Sequence, residues 1–386
     1  MPRLSAVLYF AYFAAAGIAV TYWPYHMEAL GLDDADIGAV FGVRTAIAIA
    51  SQLALIVISP RLQRSGVLLL ALAGWTLLTA IAMPFASTGV LLAALFWSQS
   101  PSQATLVPVL DTMVVTAVGA TAYGRYRRWG SLGYGAGVAT FGLLTQHLSH
   151  SRAGELSIPT FALLAGLVLL AAFALRGESA PAVAHHEPPS LRKLAATPGL
   201  LPFLAFNAVH WAAITVFNVF FPLHTKALGL GNATPGIAVL VAVLAEFGAF
   251  WAAGRLLQAR SATFWLVIVT LTSALRWVGT ALVPDSNALI ALQALHFFSF
   301  GIWLSAVMDI LGRFGGPAER GSLQAMLFAA VFGLGGILGS VGGGWLMKWD
   351  GGRAAFFGAA VAEVLALIGL VLSRHRWRQT AATAAT

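Results

Sequence analysis

Seven side chains limit the chemistry open to this chain: Asp111, Glu246, Asp309, Glu363, Arg44, Arg276 and His296, each set in a long apolar run. An ionisable group in hydrocarbon is costly, so each is a functional-site candidate by default. Glu246, Arg276 and His296 fall near the middle of three successive runs, within about one helical turn of a common depth. Pairing Glu246 with Arg276 is the cheapest arrangement, and with His296 such a network can bind a polar solute or exchange a proton. The alternative is a static ion pair tying two helices. Asp111 shares a helical face with Ser100 and Ala104 and follows the polar run Ser98-Gln99-Ser100-Pro101-Ser102-Gln103. So much hydrogen-bonding capacity in mid-membrane argues for a water-lined cavity, in which Gln99 and Gln103, with Gln293 from a later run, present amides to a solute. Asp111 reads equally as a structural partner of Arg125 or Arg127. Asp309 has Arg313 at i+4, a structural or gating pair near the inner surface. Arg44 lies near the outer end of its run, where it snorkels to the surface or meets Asp33, Asp34 and Asp36. Glu363 stands alone in the last run and is left outside the site.

The elements that must position these groups follow from composition. Of 386 residues, 59% are hydrophobic and 9% charged, against about 25% charged in soluble domains. Mean hydropathy is +0.83. This is an all-α integral membrane protein. Apolar runs of about 20 residues, enough to cross a bilayer, predict twelve spans near 5–28, 37–58, 67–86, 89–118, 130–148, 157–175, 200–223, 235–256, 262–283, 287–314, 321–346 and 352–373. The first is too long for a signal-peptide core and reads as an uncleaved span. The proline-rich connector with His185 and His186 divides the chain into a six-helix half, 1–175, a linker, 176–198, a second half, 199–373, and a tail, 374–386.

Lysine and arginine counts orient it. Of 22, sixteen fall in loops of one face and four in loops of the other, which places both termini in the cytoplasm and the chain in a bacterial inner membrane. The net charge of +8 therefore calls for no nucleic acid. Absence of cysteine excludes disulfides and thiolate metal sites. His147 with His150, and His185 with His186, lack a carboxylate at ligand spacing. No metal, cofactor or catalytic residue is expected, and an enzyme or a sensor is disfavoured. The expected partners are a small-molecule substrate, protons and lipid, with the chain a monomer.

An internal repeat supports two halves. Pro24-Tyr-His-Met-Glu-Ala-Leu-Gly-Leu32 matches Pro222-Leu-His-Thr-Lys-Ala-Leu-Gly-Leu230, and the same offset carries Asp111 onto Asp309. Six-span parallel repeats are the mark of the major facilitator fold. Glycines at Gly133/Gly137 and Gly335/Gly339/Gly343, in spans five and eleven, allow close helix approach, suiting either halves that rock on each other or plain tight packing.

Several stretches carry a family resemblance: Val107-Pro-Val-Leu-Asp111, Tyr123-Gly-Arg-Tyr-Arg-Arg-Trp-Gly-Ser-Leu-Gly133, Leu275-Arg-Trp277 and Gln293-Ala-Leu-His-Phe-Phe-Ser-Phe-Gly301. With the twelve-span layout, they resemble the major facilitator branch that includes the phenylpropionate transporter, nucleoside:proton symporters and, more distantly, the lactose permease. The resemblance implies that Arg127 matches the permease's sugar-binding arginine and Tyr134 its stacking tryptophan. Glu246, Arg276 and His296 match its coupling glutamate, arginine and histidine. Gln293 and Ser299 stand where the permease has a lysine and its proton-carrying glutamate, so a proton carrier would lie elsewhere, at Glu246 or Asp111. The signature between spans two and three is degraded to Ser59-Pro-Arg-Leu-Gln-Arg-Ser-Gly66, without its gating aspartate.

The expected function is secondary transport of a small organic solute, an arylpropionate-like acid, a nucleoside or a sugar, by alternating access with proton symport. Asp111, Arg127, Tyr134, Gln99, Gln103, Gln293 and His296 would bind it, Glu246, Arg276 and His296 would couple protons, and Asp309 with Arg313 would gate. A proton-coupled exporter or facilitator of aromatic or drug-like compounds is the alternative.

Overall fold

The computed structural model describes residues 2–58, 64–178, 194–316 and 319–383, and every regular element among them is helical. The linker prolines Pro181, Pro188 and Pro189, with His185 and His186, and most of the Ser59–Gly66 signature lie outside the described residues. In chain order the helices are α1 Pro2–Ala29, α2 Asp34–Ile58, α3 Ser65–Ala82, α4 Gly89–Val118, α5 Ala120–Thr145, α6 His150–Ala174, α7 Leu200–Ala227, α8 Ala233–Ala259 and α9 Ala262–Leu282. A composite rod, α10, runs Ser286–Leu311. The last long helical stretch, Arg320–Ser373, is 54 residues, more than twice the roughly 20 a crossing needs. It breaks at Asp350 and Gly351, whose φ of 65° ends one helix (α11, 320–349) and begins another (α12, 352–383). Among the described residues nine stretches are long and apolar enough to cross a membrane. Two helices outside that set are the polar ones, α4 with its Ser/Gln run and α5 with its three arginines.

Local chemistry sets the ends. Thr88, Ser149, Ser261 and Asp285 cap α4, α6, α9 and α10 by accepting from the backbone N–H three residues on, the usual use of short polar side chains at a helix start. The repeated nonapeptide proves to be a helix terminator. Leu32 N–H donates to Met27 O and Gly31 N–H to Glu28 O, while Leu230 N–H donates to Thr225 O and Gly229 N–H to Lys226 O. Gly31 and Gly229 hold φ of 88° and 74°, the left-handed residue this cap requires.

Two helix starts differ from the sequence expectation: α6 begins at His150 rather than 157, and α5 at Ala120 rather than 130. Gly119, at φ 79°, turns the chain straight out of α4, so Arg125, Arg127 and Arg128 stand on a helix rather than in a loop.

The chain divides into two compact units, Met1–Ala184 with Phe221–Leu240, and His185–Phe220 with Val241–Thr386. In the first, α5 lies on α1 at its glycines: a Cβ on Gly133 would come within 2.3 Å of Phe10 O, and one on Gly137 within 2.7 Å of Ala14 Cβ. In the second, α11 meets α7 in the same way, with Ala208 O 2.5 Å from a Cβ on Gly335 and Ala212 O 2.3 Å from one on Gly339. These faces thus serve close packing inside each unit. The C-terminal end of α7 and the start of α8 belong to the first unit. There Tyr25 donates to Pro222 O at 3.0 Å, Tyr22 to Asn232 O at 3.0 Å, and Lys226 pairs with Glu28 at 2.7 Å.

Candidate functional site

In the first unit, α4 supplies the polar wall. Pro101 and Pro108 lie inside it, and a proline leaves the carbonyl four residues earlier without its helical donor. For Pro108 that carbonyl is Ala104 O, and Gln52 Nε2 of α2 takes it at 3.2 Å. Thr105 and Thr112 donate to Pro101 O and Pro108 O.

Two clusters form on this wall. Asp111 accepts from Tyr9 at 2.5 Å, with Tyr123 as a further neighbour. Arg127 acts on it electrostatically and lies over the rings of Phe13, at 4.3 Å, and Tyr9, at 5.7 Å. Nearer the start of α4, Arg44 Nη2 donates to Gln103 Oε1 at 2.9 Å, and its guanidinium sits 5.0 Å from the Phe96 centroid. Tyr12 and Tyr134 are its electrostatic neighbours, and Tyr12 donates to Gln103 O at 2.6 Å. Arg44 Nε is buried and meets no acceptor. The expectation that Arg44 snorkels is therefore corrected: its position on α2 turns it toward Phe96 and Gln103. Gln99 is fully buried, with Nε2 donating to Thr76 O and Thr79 Oγ1 of α3 at 3.2 and 3.1 Å. It fastens α4 to α3.

The second unit centres on Arg276, fully buried on α9. Its Nε and Nη2 donate to Gln293 Oε1 at 2.9 and 2.6 Å, and Nη1 donates to Ser299 Oγ at 2.8 Å and to His296 Nδ1 at 3.1 Å. Phe217 and Trp277 present their faces at 4.7 and 4.4 Å. A guanidinium has no acceptor, so His296 Nδ1 takes part through its lone pair and the imidazole is neutral here. Gln293, Ser299 and His296 reach one guanidinium because α10 is irregular: a 3₁₀ turn over Gln293–Leu295 runs into a π-helical segment, Phe297–Ile302, the kind of local rewinding that recurs at functional sites. Gly301 allows α8 in close, since a Cβ there would lie 2.2 Å from Ala249 Cβ.

The carboxylate acting on Arg276 is Glu363, which corrects the expectation that Glu363 stands alone. Fully buried on α12, it bonds His210 Nδ1 at 2.9 Å and accepts from Trp277 Nε1 at 3.3 Å, while His210 Nε2 meets Ser299 O at 2.9 Å. Glu246 is half-buried on α8, with its carbonyl 3.5 Å from a Cβ built on Gly301. Asp309 of α10 and Arg313, two residues past its end, form an exposed ion pair. Sequence reasoning left out Tyr9, Tyr12, Tyr123 and His210. For His210 the signal was there, an ionisable group inside an apolar run, but its partner lies 153 residues away. Among the described residues no cluster of histidine and acidic side chains is suited to a metal ion.

The model of the MFS_1 like family matches residues 3–358. The chain is 26% identical over 387 residues to the probable 3-phenylpropionic acid transporter of Escherichia coli (strain K12), across 95% of each. It is 26% identical over 285 residues to the maltose permease of Geobacillus stearothermophilus, across 72% of this chain and 70% of the permease. Among solved structures, the nucleoside transporter NupG matches with a TM-score of 0.85 at 16% identity, covering 96% of this chain and 98% of that one. A bacterial homolog of the human lysosomal transporter Spinster matches with a TM-score of 0.75 at 13% identity, covering 98% and 97%. At these identities the structural likeness concerns the fold.

Proposed function

The chain belongs to the MFS_1 like family and is a transporter of small solutes, and from that premise we propose that it imports an aromatic monocarboxylate by alternating access with proton symport. The observation that carries the reading is Arg44. It is a guanidinium held by a neutral amide, with an Nε–H that has no acceptor and an aromatic face beside it. A carboxylate accepts two parallel bonds from such a fork, and the attached ring packs against Phe96, Tyr12 and Tyr134. The 95% overlap with the probable 3-phenylpropionic acid transporter points to the same class. Asp111, Arg127 and Gln103 complete the solute site in the first unit, with Gln99 as its support. Gln293 and His296 serve in the second unit, where Glu246, Arg276 and His296 are the expected coupling set. Asp309 and Arg313 act at the inner end, and both termini lie in the cytoplasm of a bacterial inner membrane.

Uptake of 3-phenylpropionate, uridine and maltose into proteoliposomes, with and without an inward proton gradient, tests this. The expected result is accumulation of 3-phenylpropionate only with the gradient, and a loss of about tenfold or more, equivalent to about 1.4 kcal/mol, in Arg44→Gln. Accumulation of uridine or maltose instead would overturn the aromatic acid, and indifference to the gradient would overturn symport.

A further inference from the structure

The proton-symport reading calls for a group that holds a proton inside the membrane and makes its presence felt by the solute site. The contacts around His210 assign one. Its Nε2 lies 2.9 Å from Ser299 O. A backbone carbonyl only accepts, so Nε2 carries hydrogen. On the other side Nδ1 lies 2.9 Å from Glu363 Oε2. An imidazole lone pair facing a carboxylate lone pair repels, so a proton sits in that contact too. It belongs either to an imidazolium beside a carboxylate or to a carboxylic acid donating to a neutral ring. The count is the same in both forms: His210 and Glu363 together hold one exchangeable proton and no net charge.

The surroundings keep that proton from being idle. Both side chains are fully buried, and His210 stands between Phe206, stacked at 6.4 Å, and Trp303, at 5.3 Å. The charged and titratable groups that act on this nest are Arg276 from α9 and His296 from α10. On α8 the backbone carbonyl of Glu246 faces Gly301, two residues beyond Ser299. Ser299 touches both sides, its carbonyl on His210 and its hydroxyl on Arg276. Arg276 in turn touches His296, which is partly exposed.

We propose that the His210–Glu363 pair holds the transported proton, and that Arg276 and Ser299 relay its presence to His296. With the proton bound, the pair is neutral and Arg276 carries the net positive charge of the cluster, the state that attracts an anionic solute. Release of the proton to water leaves Glu363 as a carboxylate facing an imidazole lone pair. Its negative charge then neutralises Arg276 and draws the guanidinium from Gln293, Ser299 and His296. The Gln293 and His296 groups of the second unit lose positive charge beside them in the same step, which weakens their hold on an anion, so proton and anion leave together. This rests on the symport reading and moves its carrier from α8 to α12.

The test uses the full chain in lipid vesicles, with the proton alone as probe. Infrared difference spectra between acidic and alkaline buffer report a carboxyl group that changes protonation and equally a carboxylate whose imidazolium partner loses its proton, so either form of the pair gives a carboxyl difference band. In the wild type a carboxyl difference band is expected. It should vanish in Glu363→Gln and stay in Glu246→Gln. Should Glu363→Gln fail to fold, His210→Gln keeps a donor for Ser299 O and should move the midpoint of the band by about one pH unit or more, a tenfold change in proton affinity. A wild type without the band, a band that survives Glu363→Gln, or a midpoint unmoved in His210→Gln overturns the assignment. Loss of the band in Glu363→Gln, together with wild-type uptake indifferent to a pH gradient, upholds the protonation site and overturns only the symport reading.

Discussion

Arg276 shows what a single side chain is asked to do in hydrocarbon. Its guanidinium meets Gln293, Ser299, His296 and two aromatic faces at once, and the geometry of its planar fork makes this possible. A lysine keeps the charge but presents its donors from one point, so it cannot reach Gln293 twice together with Ser299 and His296. Arg276→Lys should lower stability by about 1–3 kcal/mol, the cost of leaving buried acceptors unpaired, and thermal unfolding in detergent measures it. That Arg276 needs polar partners, His296 among them, was legible, because an isolated cation there is prohibitively costly, but the sequence reading paired it first with Glu246 of α8. Which other groups hold it was not legible. Gln293 and Ser299 read as departures from a family pattern, yet they are the acceptors that replace it, and the buried carboxylate comes from α12.

At the scale of elements, the most readable features were those that depend on backbone alone. Glycines at intervals of four on α5 and α11 announced close helix contacts, and both faces make them, against α1 and α7. Gly133→Ala must push Phe10 O away or open the helix pair, at a cost of about 1–3 kcal/mol. Gly166→Ala in α6 adds its methyl to open space and should leave stability within about 1 kcal/mol, on the favourable side, since alanine is the better helix former. Unfolding midpoints of the two variants, measured side by side, check the contrast. The irregular winding of α10 was not legible. Its residues have no proline to signal it, and the 3₁₀ and π turns accompany the need to bring Gln293, His296 and Ser299 to one guanidinium.

For the whole molecule, the internal repeat acquires a physical meaning. Its two copies end α1 and α7 with the same glycine cap, and the residues at which they differ most in charge, Glu28 and Lys226, form an ion pair. The compact first unit takes in Phe221–Leu240, beyond the half expected to end before the linker, because α7 and α8 are tied there by Tyr22, Tyr25, His150 and this pair. Both charges are more than a third exposed, so the pair should contribute no more than about 1 kcal/mol. A double-mutant cycle of Glu28→Lys and Lys226→Glu measures it: each reversal alone should destabilise, and the two together should restore most of the loss.

Composition and spacing were enough, without coordinates, for the membrane class, the approximate placement of most helices, the glycine contacts and most of the buried ionisable groups. Each of these follows from transfer free energy or from backbone sterics, which act locally. The tertiary structure alone decided which face of each helix turns inward. A helix that is apolar all round carries no stripe to mark its buried side, so the direction of Arg44 could not be read from α2, nor that of Glu363 from α12. Partners such as His210 and Glu363, 153 residues apart, are chosen by the packing of whole helices, and only that packing brings a second polar group close enough to make a buried one tolerable.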